Sequence, residues 1–351
     1  GLKAGLGGLL DKIRHYKKIN PEKEEFYLAE EITIQAIIDF IGRHIEEIKR
    51  QLLAETRPEL ADTLREMLHA NEAIQYGKPE TFLEACQWIA WFNTVSRIYD
   101  RDGAGCNLDQ ILYPYYQKDR RDKVMDDEKA TFILANLLLI DTHYYQLSGA
   151  DEHDKDLTNH LSYLILDAAH WLNASANLTI RMHDNMDPAF LRKGVEYLFT
   201  DRNGWPRFSG DKGLMHYQNN EGITKQTARS RIAVGCNWMA VPGREYPLND
   251  CVKINVARIF DIAFHEMFEA GENEKSIASL LAIFEKHLEK AVDITARGIL
   301  HHLTYQRYIM PELVMNLMME NTIETGRDIS ECAELKTIGI DGVGLGTIAD
   351  S

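Results

Sequence analysis

Paired cysteines are what this chain most conspicuously lacks. Its five cysteines, Cys86, Cys106, Cys236, Cys251 and Cys332, are odd in number, scattered and never spaced as CxxC, which argues against a disulfide framework and against a structural zinc site. Long apolar runs are also missing. Stretches such as Ile133 to Ile140 are far too short to span a bilayer, and no signal-peptide segment opens the sequence, so a cytoplasmic location is expected. Positive charge is in deficit, with 39 Lys and Arg against 54 Asp and Glu and a formal charge of -15. That balance disfavours nucleic acid as a partner. Neither GxSxG nor GxxxxGK[ST] occurs, and there is no internal repeat, low-complexity tract or Pro/Ser-rich linker.

What remains is a globular sequence, 45% apolar over 351 residues, with enough hydrophobic surface for a substantial core. From Pro21 to about Glu55, Ile34, Ile38, Ile41, Ile45, Ile48 and Leu52 recur at helical spacing between charged residues, which predicts a long amphipathic helix. Further helices are predicted near 57–75, 80–98, 126–147, 157–171, 187–199, 252–269, 274–296 and 297–320, the last interrupted or kinked by Pro311. Strand signals are few: the alternation over 175–182, and the short run 231–235. Short strands between long helices predict a barrel-like or layered α/β core in a single domain.

Several motifs carry less than they suggest. Gly342-Val343-Gly344-Leu345-Gly346 lacks the following helix and strand of a dinucleotide loop, and Asp100-Arg101-Asp102-Gly103 has Ile111 where a calcium loop needs Glu. His265, Glu266 and Glu269, and the adjacent pair His301-His302, do not form the HExxH pattern that sets two histidines at i and i+4, so no metal site is expected. Cys236 differs. It sits between the apolar run Arg231–Val234 and the turn-forming pair Pro242-Gly243, the pattern of a thiol presented at a loop tip, although a single cysteine is more often a small buried hydrophobe.

Six segments in order turn that ambiguity into a resemblance. Lys78 to Ala85, Leu108-Asp109-Gln110-Ile111-Leu112-Tyr113-Pro114-Tyr115-Tyr116, Asn177 to Arg181 followed by Asp187 to Leu191, the Gly235-Cys236 loop through Pro242-Gly243 and Tyr246, Gly326 to Ile329, and Gly342 to Ser351 resemble the corresponding segments of the glycyl radical enzymes, the family of pyruvate formate-lyase and the glycerol-dehydratase-like enzymes. The resemblance implies a ten-stranded α/β barrel of two half-barrels wrapped in helices, with the cysteine on a finger loop inside. It implies that Cys236 becomes a thiyl radical and abstracts hydrogen from a small-molecule substrate, charged by a backbone glycyl radical. No bound cofactor is implied. The glycyl radical is installed by a separate S-adenosylmethionine iron-sulfur activase, and a homodimer is the expected assembly. The motif Arg-Val-Ala-Gly-Tyr that carries the glycine occurs nowhere in residues 1–351, so the chain reads as the central part of the barrel, a fragment without the glycine-radical domain.

Departures from the family pattern bear on the reaction. Dehydratase and decarboxylase members carry Glu two residues after the cysteine, for proton transfer; that position here is Trp238. Pyruvate formate-lyase uses two adjacent cysteines, and here the neighbour is Gly235. A radical lyase or dehydratase is the leading expectation, with carbon-carbon cleavage of the pyruvate formate-lyase type, or a catalytically silent scaffold of the same fold, as alternatives. Trp238 is expected to form an apolar pocket wall, and Glu245 or Asp250 to act in proton transfer or substrate binding. Asp250 is equally expected to cap a helix beginning near Val252. Arg101 is a candidate for a substrate carboxylate or phosphate, with a surface ion pair as its competing reading.

Overall fold

A computed structural model describes residues 1–98, 106–140, 144–174, 176–220, 222–234, 238–271 and 275–351, and for Val234, Asn249, Asp250 and Cys251 the backbone alone. The N-terminal layer is helical because its apolar residues return every three or four positions. Pro21–Lys23 forms a 3-10 turn that leads into the helix Glu24–Ala54, which buries Tyr27, Ile34, Ile38, Ile41 and Ile45. Helices Gly5–Ile19 and Pro58–Ile74 pack along it, and Phe82–Ile98 beside the latter. The segment Lys78 to Ala85 proves to be a helix start: Oε2 of Glu84 accepts from the N–H groups of Glu80 (2.7 Å) and Thr81 (3.3 Å), and Asp119 Oδ2 accepts from Phe82 N–H (2.8 Å).

The sheet core follows. Strands β1 (Cys106–Asn107), β2 (Tyr145–Ser148), β3 (Leu178–Met182) and β4 (Arg207–Gly210) form one parallel sheet in that order. Helices Leu108–Arg121 and Asp127–Ile140, then His160–Leu172, then Pro188–Asp201 make the crossovers that parallel pairing demands. A short helix, Lys225–Ser230, leads into an antiparallel hairpin of β5 (Ile232–Val234) and β6 (Trp238–Ala240). Beyond it β7 (Glu245–Asn255) pairs in parallel with β8 (Leu335–Val343), with an irregularity between Leu248 and Val252. The hairpin touches β1 and β2 on one side and β7 on the other.

Three sequence expectations need correcting. The predicted helix over 126–147 ends at Ile140, and Tyr145–Ser148 is β2, because a four-residue buried strand carries too little periodicity to be told from helix. The predicted helix over 252–269 begins at Val256: residues 252–255 finish β7, and the Asn255 side chain accepts from Arg258 N–H at 2.9 Å. Asn255 is therefore the cap, and Asp250 is not. The two helices predicted over 274–296 and 297–320 are one, Ile277–Ile309, which runs through Gly298. A mid-helix glycine costs only about 1 kcal/mol, and Pro311 lies past the end, where it stops the helix without kinking it.

The N-terminal layer is latched to a distant segment. Tyr27 Oη donates to the Ile323 carbonyl (2.9 Å), and Asn316 Nδ2 donates to Oε1 of the fully buried Glu30 (3.0 Å) and to Asp328 Oδ2 (3.1 Å). Burial first, opposed by the Asn316 hydrogen bond and aided by the charge of Asp328, raises the Glu30 carboxyl from 4.5 to about 8.

Candidate active site

Strands of a parallel sheet are ordinarily apolar on both faces. These are not. Tyr145, Leu147, Leu178 and Ile180 are buried in the core, and Ile180 and Phe208 lie against Gly194 of the helix Pro188–Asp201 so closely that a Cβ there would sit 2.5 Å from Ile180 Cδ1. Residues paired in register share a face of the sheet, and neighbours along a strand alternate. The opposite face therefore carries the row Asn107, Gln146, Thr179, Arg207 and the row Ser148, Arg181, Ser209. Every one of those side chains is polar.

The hairpin is pinned over this polar face. Gln146 accepts from Ala233 N–H of β5 at 3.1 Å through Oε1, while its Nε2 donates to Asn107 Oδ1 at 3.0 Å. Arg181, 1% exposed, donates to Asp211 Oδ1 from Nε (2.9 Å) and Nη2 (2.7 Å). Its remaining donors reach the carbonyls of Arg229 (2.7 Å), Ala228 (3.4 Å) and Arg231. Those carbonyls end the helix Lys225–Ser230 and would otherwise be orphaned. Burial, then the neighbouring charges of Arg229 and Arg231, lowers the Arg181 guanidinium to about 10, which leaves it charged at neutral pH.

The far side of the hairpin is braced by a carboxylate. Glu245 is 2% exposed and accepts from Arg231 Nε (3.4 Å) and Nη2 (3.3 Å), from Val241 N–H (2.8 Å) and from the Thr337 hydroxyl of β8. Arg231 in turn donates to the Met239 carbonyl (2.5 Å) and stacks 3.7 Å above the Tyr217 ring. Four donors on a buried carboxylate make it a clasp between β5, the turn after β6, and β8. That geometry suits positioning better than the proton transfer expected of it.

Trp238 opens β6, register partner of Val234 at the end of β5. The outer edge of its indole lies against Gly339 of β8, where a Cβ would stand 2.3 Å from Cη2. Only a residue without a side chain leaves room for that ring. Of the other residues singled out in the sequence, Cys236 and Arg101 lie outside the described residues, and Asp250 is placed in β7 by its backbone with its side chain outside them. The residues that sequence reasoning missed are Gln146, Arg181 and Arg231. Arg181 did leave a signal, a charged residue at an alternating position of an apolar strand.

A cavity of about 740 Å³ opens at the C-terminal ends of β3 and β4, lined among others by Asp154, His183, Asp211, Lys225 and Arg229. Its charges are satisfied internally, Asp154 by Lys225 (2.6 Å) and Arg229, and Asp211 by Arg229 and Arg181. Among the described residues no group of His, Cys, Asp or Glu could hold a metal ion, and no helix is long and apolar enough to cross a membrane.

The core is thus a parallel sheet with one polar face, carrying a hairpin whose two strands flank Cys236 in the sequence, and comparison with known proteins gives its family. The family model described as pyruvate formate lyase-like matches residues 1–351, and the chain belongs to that family. The chain is 24% identical to (2S)-3-sulfopropanediol dehydratase of Klebsiella oxytoca, over 99% of this chain and 47% of that protein. It is 24% identical to trans-4-hydroxy-L-proline dehydratase of Clostridioides difficile, over 91% of this chain and 45% of that protein. Among solved structures, the glycerol-bound B12-independent glycerol dehydratase of Clostridium butyricum superposes with a TM-score of 0.89 at 20% identity, over 99% of this chain and 49% of that chain. The chain thus spans about half the length of the relatives it matches. The family resemblance and the mixed α/β fold with parallel sheets are borne out; the described residues show eight strands in separate sheets of four, two and two.

Proposed function

We propose that residues 1–351 form the cysteine-bearing part of a glycyl radical lyase or dehydratase acting on a small polar substrate, with Cys236 as the hydrogen-abstracting residue. The observation that carries this reading is the hairpin: Val234 and Trp238 are register partners, and Ala233 is tied by Gln146 to a polar sheet face. A thiyl radical at Cys236 takes one hydrogen atom from a substrate carbon, so that S–H forms as C–H breaks. The substrate radical then loses its neighbouring group, and the thiol returns the hydrogen atom to the product radical. Sulfur is not required to ionise for this, so a lowered thiol pKa is not part of the design. The glycyl radical that charges Cys236 comes from a glycine-loop motif that residues 1–351 do not contain, installed by an S-adenosylmethionine iron-sulfur activase.

Glu245 holds the hairpin in this scheme, and Asp250 is the carboxylate that serves the leaving group. Trp238 supports a second reading. An indole packed against Gly339 supplies no titratable proton, which suits carbon-carbon cleavage better than elimination of water. The test is anaerobic activation of the full-length protein with its activase, followed by electron paramagnetic resonance. Cys236→Ala is expected to keep the glycyl signal and abolish both turnover and substrate-dependent loss of that signal. Unchanged turnover in Cys236→Ala removes the assignment, and the products formed separate the two readings.

A further inference from the structure

The turn that follows the cysteine hairpin is held from outside. Gly243, at φ +75°, lies between β6 and β7, and its carbonyl accepts from Glu320 N–H at 2.8 Å. The next residue is held as well: the Arg244 carbonyl accepts from Leu335 N–H (3.2 Å) at the start of β8, and Arg244 Nε donates to Glu334 Oε2 (2.7 Å). Glu320 and Glu334 lie on one stretch of chain, and a single buried amide, Asn316, gathers that stretch. Its Nδ2 donates to Glu30 Oε1 and Asp328 Oδ2, its Oδ1 accepts from Ile329 N–H (2.8 Å), and its carbonyl accepts from the Thr322 hydroxyl (2.6 Å). Two acceptors on one side and a donor on the other match an amide, and neither a carboxylate nor a hydrocarbon of the same size answers all three.

We propose that Asn316 is a positioning residue for the Cys236 site. Through the turn that ends at Thr322 it sets Glu320 against Gly243, through Asp328 and Ile329 it sets the approach to Glu334 and β8, and through Glu30 it refers both to the helix Glu24–Ala54. The proposal rests on the reading of Cys236 given above. Hydrogen abstraction wants reacting atoms about 3–3.5 Å apart, and a misplacement of about 1 Å costs about 100-fold in rate. A hairpin of two three-residue strands cannot keep that tolerance unaided. Fully satisfied buried networks supply the rigidity it lacks. Asn316 acts only through the turn and β8.

The experiment is alkylation of the full-length, unactivated protein by iodoacetamide, with each cysteine followed by mass spectrometry. Cys236 reports on the hairpin, and Cys86, buried in the helix Phe82–Ile98, reports on the fold as a whole. Asn316→Leu keeps the volume and removes the three side-chain hydrogen bonds. It is expected to accelerate Cys236 about 5- to 100-fold with Cys86 unchanged. Asn316→Asp keeps the acceptor for Ile329 N–H and is expected to fall between the parent and Asn316→Leu. Thr322→Val, a milder lesion of the same turn, is expected to act in the same direction and carries the test if Asn316→Leu does not fold. In the activated protein, Asn316→Asp is expected to keep the glycyl signal and to lower kcat with KM unchanged, the split of a misplaced abstracting residue. An unchanged Cys236 rate in the variants, equal acceleration at Cys86, or a rise in KM with kcat unchanged overturns the proposal. Alkylation needs neither radical nor substrate, so failure of the Cys236 assignment shows in the turnover of Cys236→Ala and failure of the Asn316 assignment shows here.

Discussion

Trp238 and Gly339 constitute a two-residue unit: a bulky ring on one element and a missing side chain on another. Adding a methyl group at Gly339 places it 2.3 Å from the indole, and overpacking of this kind costs about 1–3 kcal/mol. Gly339→Ala is therefore expected to displace the ring, lowering the melting temperature and quenching or shifting the Trp fluorescence, while the glycyl signal of the activated protein stays. The double variant Gly339→Ala with Trp238→Leu is expected to recover most of the stability. Glu245 behaves differently. Because its carboxylate is wholly spent on Arg231, Val241 and Thr337, Glu245→Gln is expected to lower thermal stability by a few kcal/mol and to leave turnover per folded, activated molecule largely intact. A loss of turnover without loss of stability would return Glu245 to proton transfer.

Elements here are held by side chains that reach across from other elements. The hairpin β5–β6 has few residues of its own and cannot be stable alone; Gln146 fastens its first strand, Arg181 the helix before it, and Arg231 with Glu245 the turn after it. Gln146→Ala leaves the buried Ala233 N–H without its acceptor, a penalty of about 1–3 kcal/mol. Hydrogen exchange followed by mass spectrometry is expected to show faster exchange in peptides covering 231–240, with the helix Glu24–Ala54 unchanged. At this scale the sequence was legible in proportion to element length. The 31-residue helix Glu24–Ala54 declares itself by isoleucines recurring at helical spacing from Ile34 to Ile48, whereas β1 and β4, two and four residues long, leave no period to read. Cys236 stood out because its neighbours in sequence, Pro242-Gly243 and the run before it, are local. The clasp at Glu245 did not, because Thr337 lies 92 residues away, and nothing in the sequence near Gly339 announces that an indole needs its space.

For the molecule as a whole, the latch between the N-terminal layer and the segment around Asn316 sets a pH dependence. Glu30 titrates near 4.5 when unfolded and at about 8 in place. Between those values the folded chain keeps a proton that the unfolded chain has released, so stability falls as pH rises. Its contribution is fully present below about pH 4.5 and lost as pH rises through about 8, amounting to a few kcal/mol on the scale of ~1.4 kcal/mol per unit. Glu30→Gln keeps an acceptor for Asn316 and removes the titration. In thermal melts the variant is expected to gain on the parent between pH 5 and pH 8; parallel melting curves across that range would assign the proton elsewhere.

The two-faced sheet has an evolutionary corollary. Leu147, Leu178, Ile180 and Phe208 supply the apolar contacts that hold the strands to their helices, while Asn107, Gln146, Thr179 and Arg207 occupy the other side of the same backbone. Exchanges on the second set add or remove little buried hydrocarbon, so they draw on a separate reserve from the exchanges that would unfold the chain. Gln146 excepted, a lineage can change the chemistry of that face one residue at a time, along strands whose opposite side keeps the architecture constant throughout.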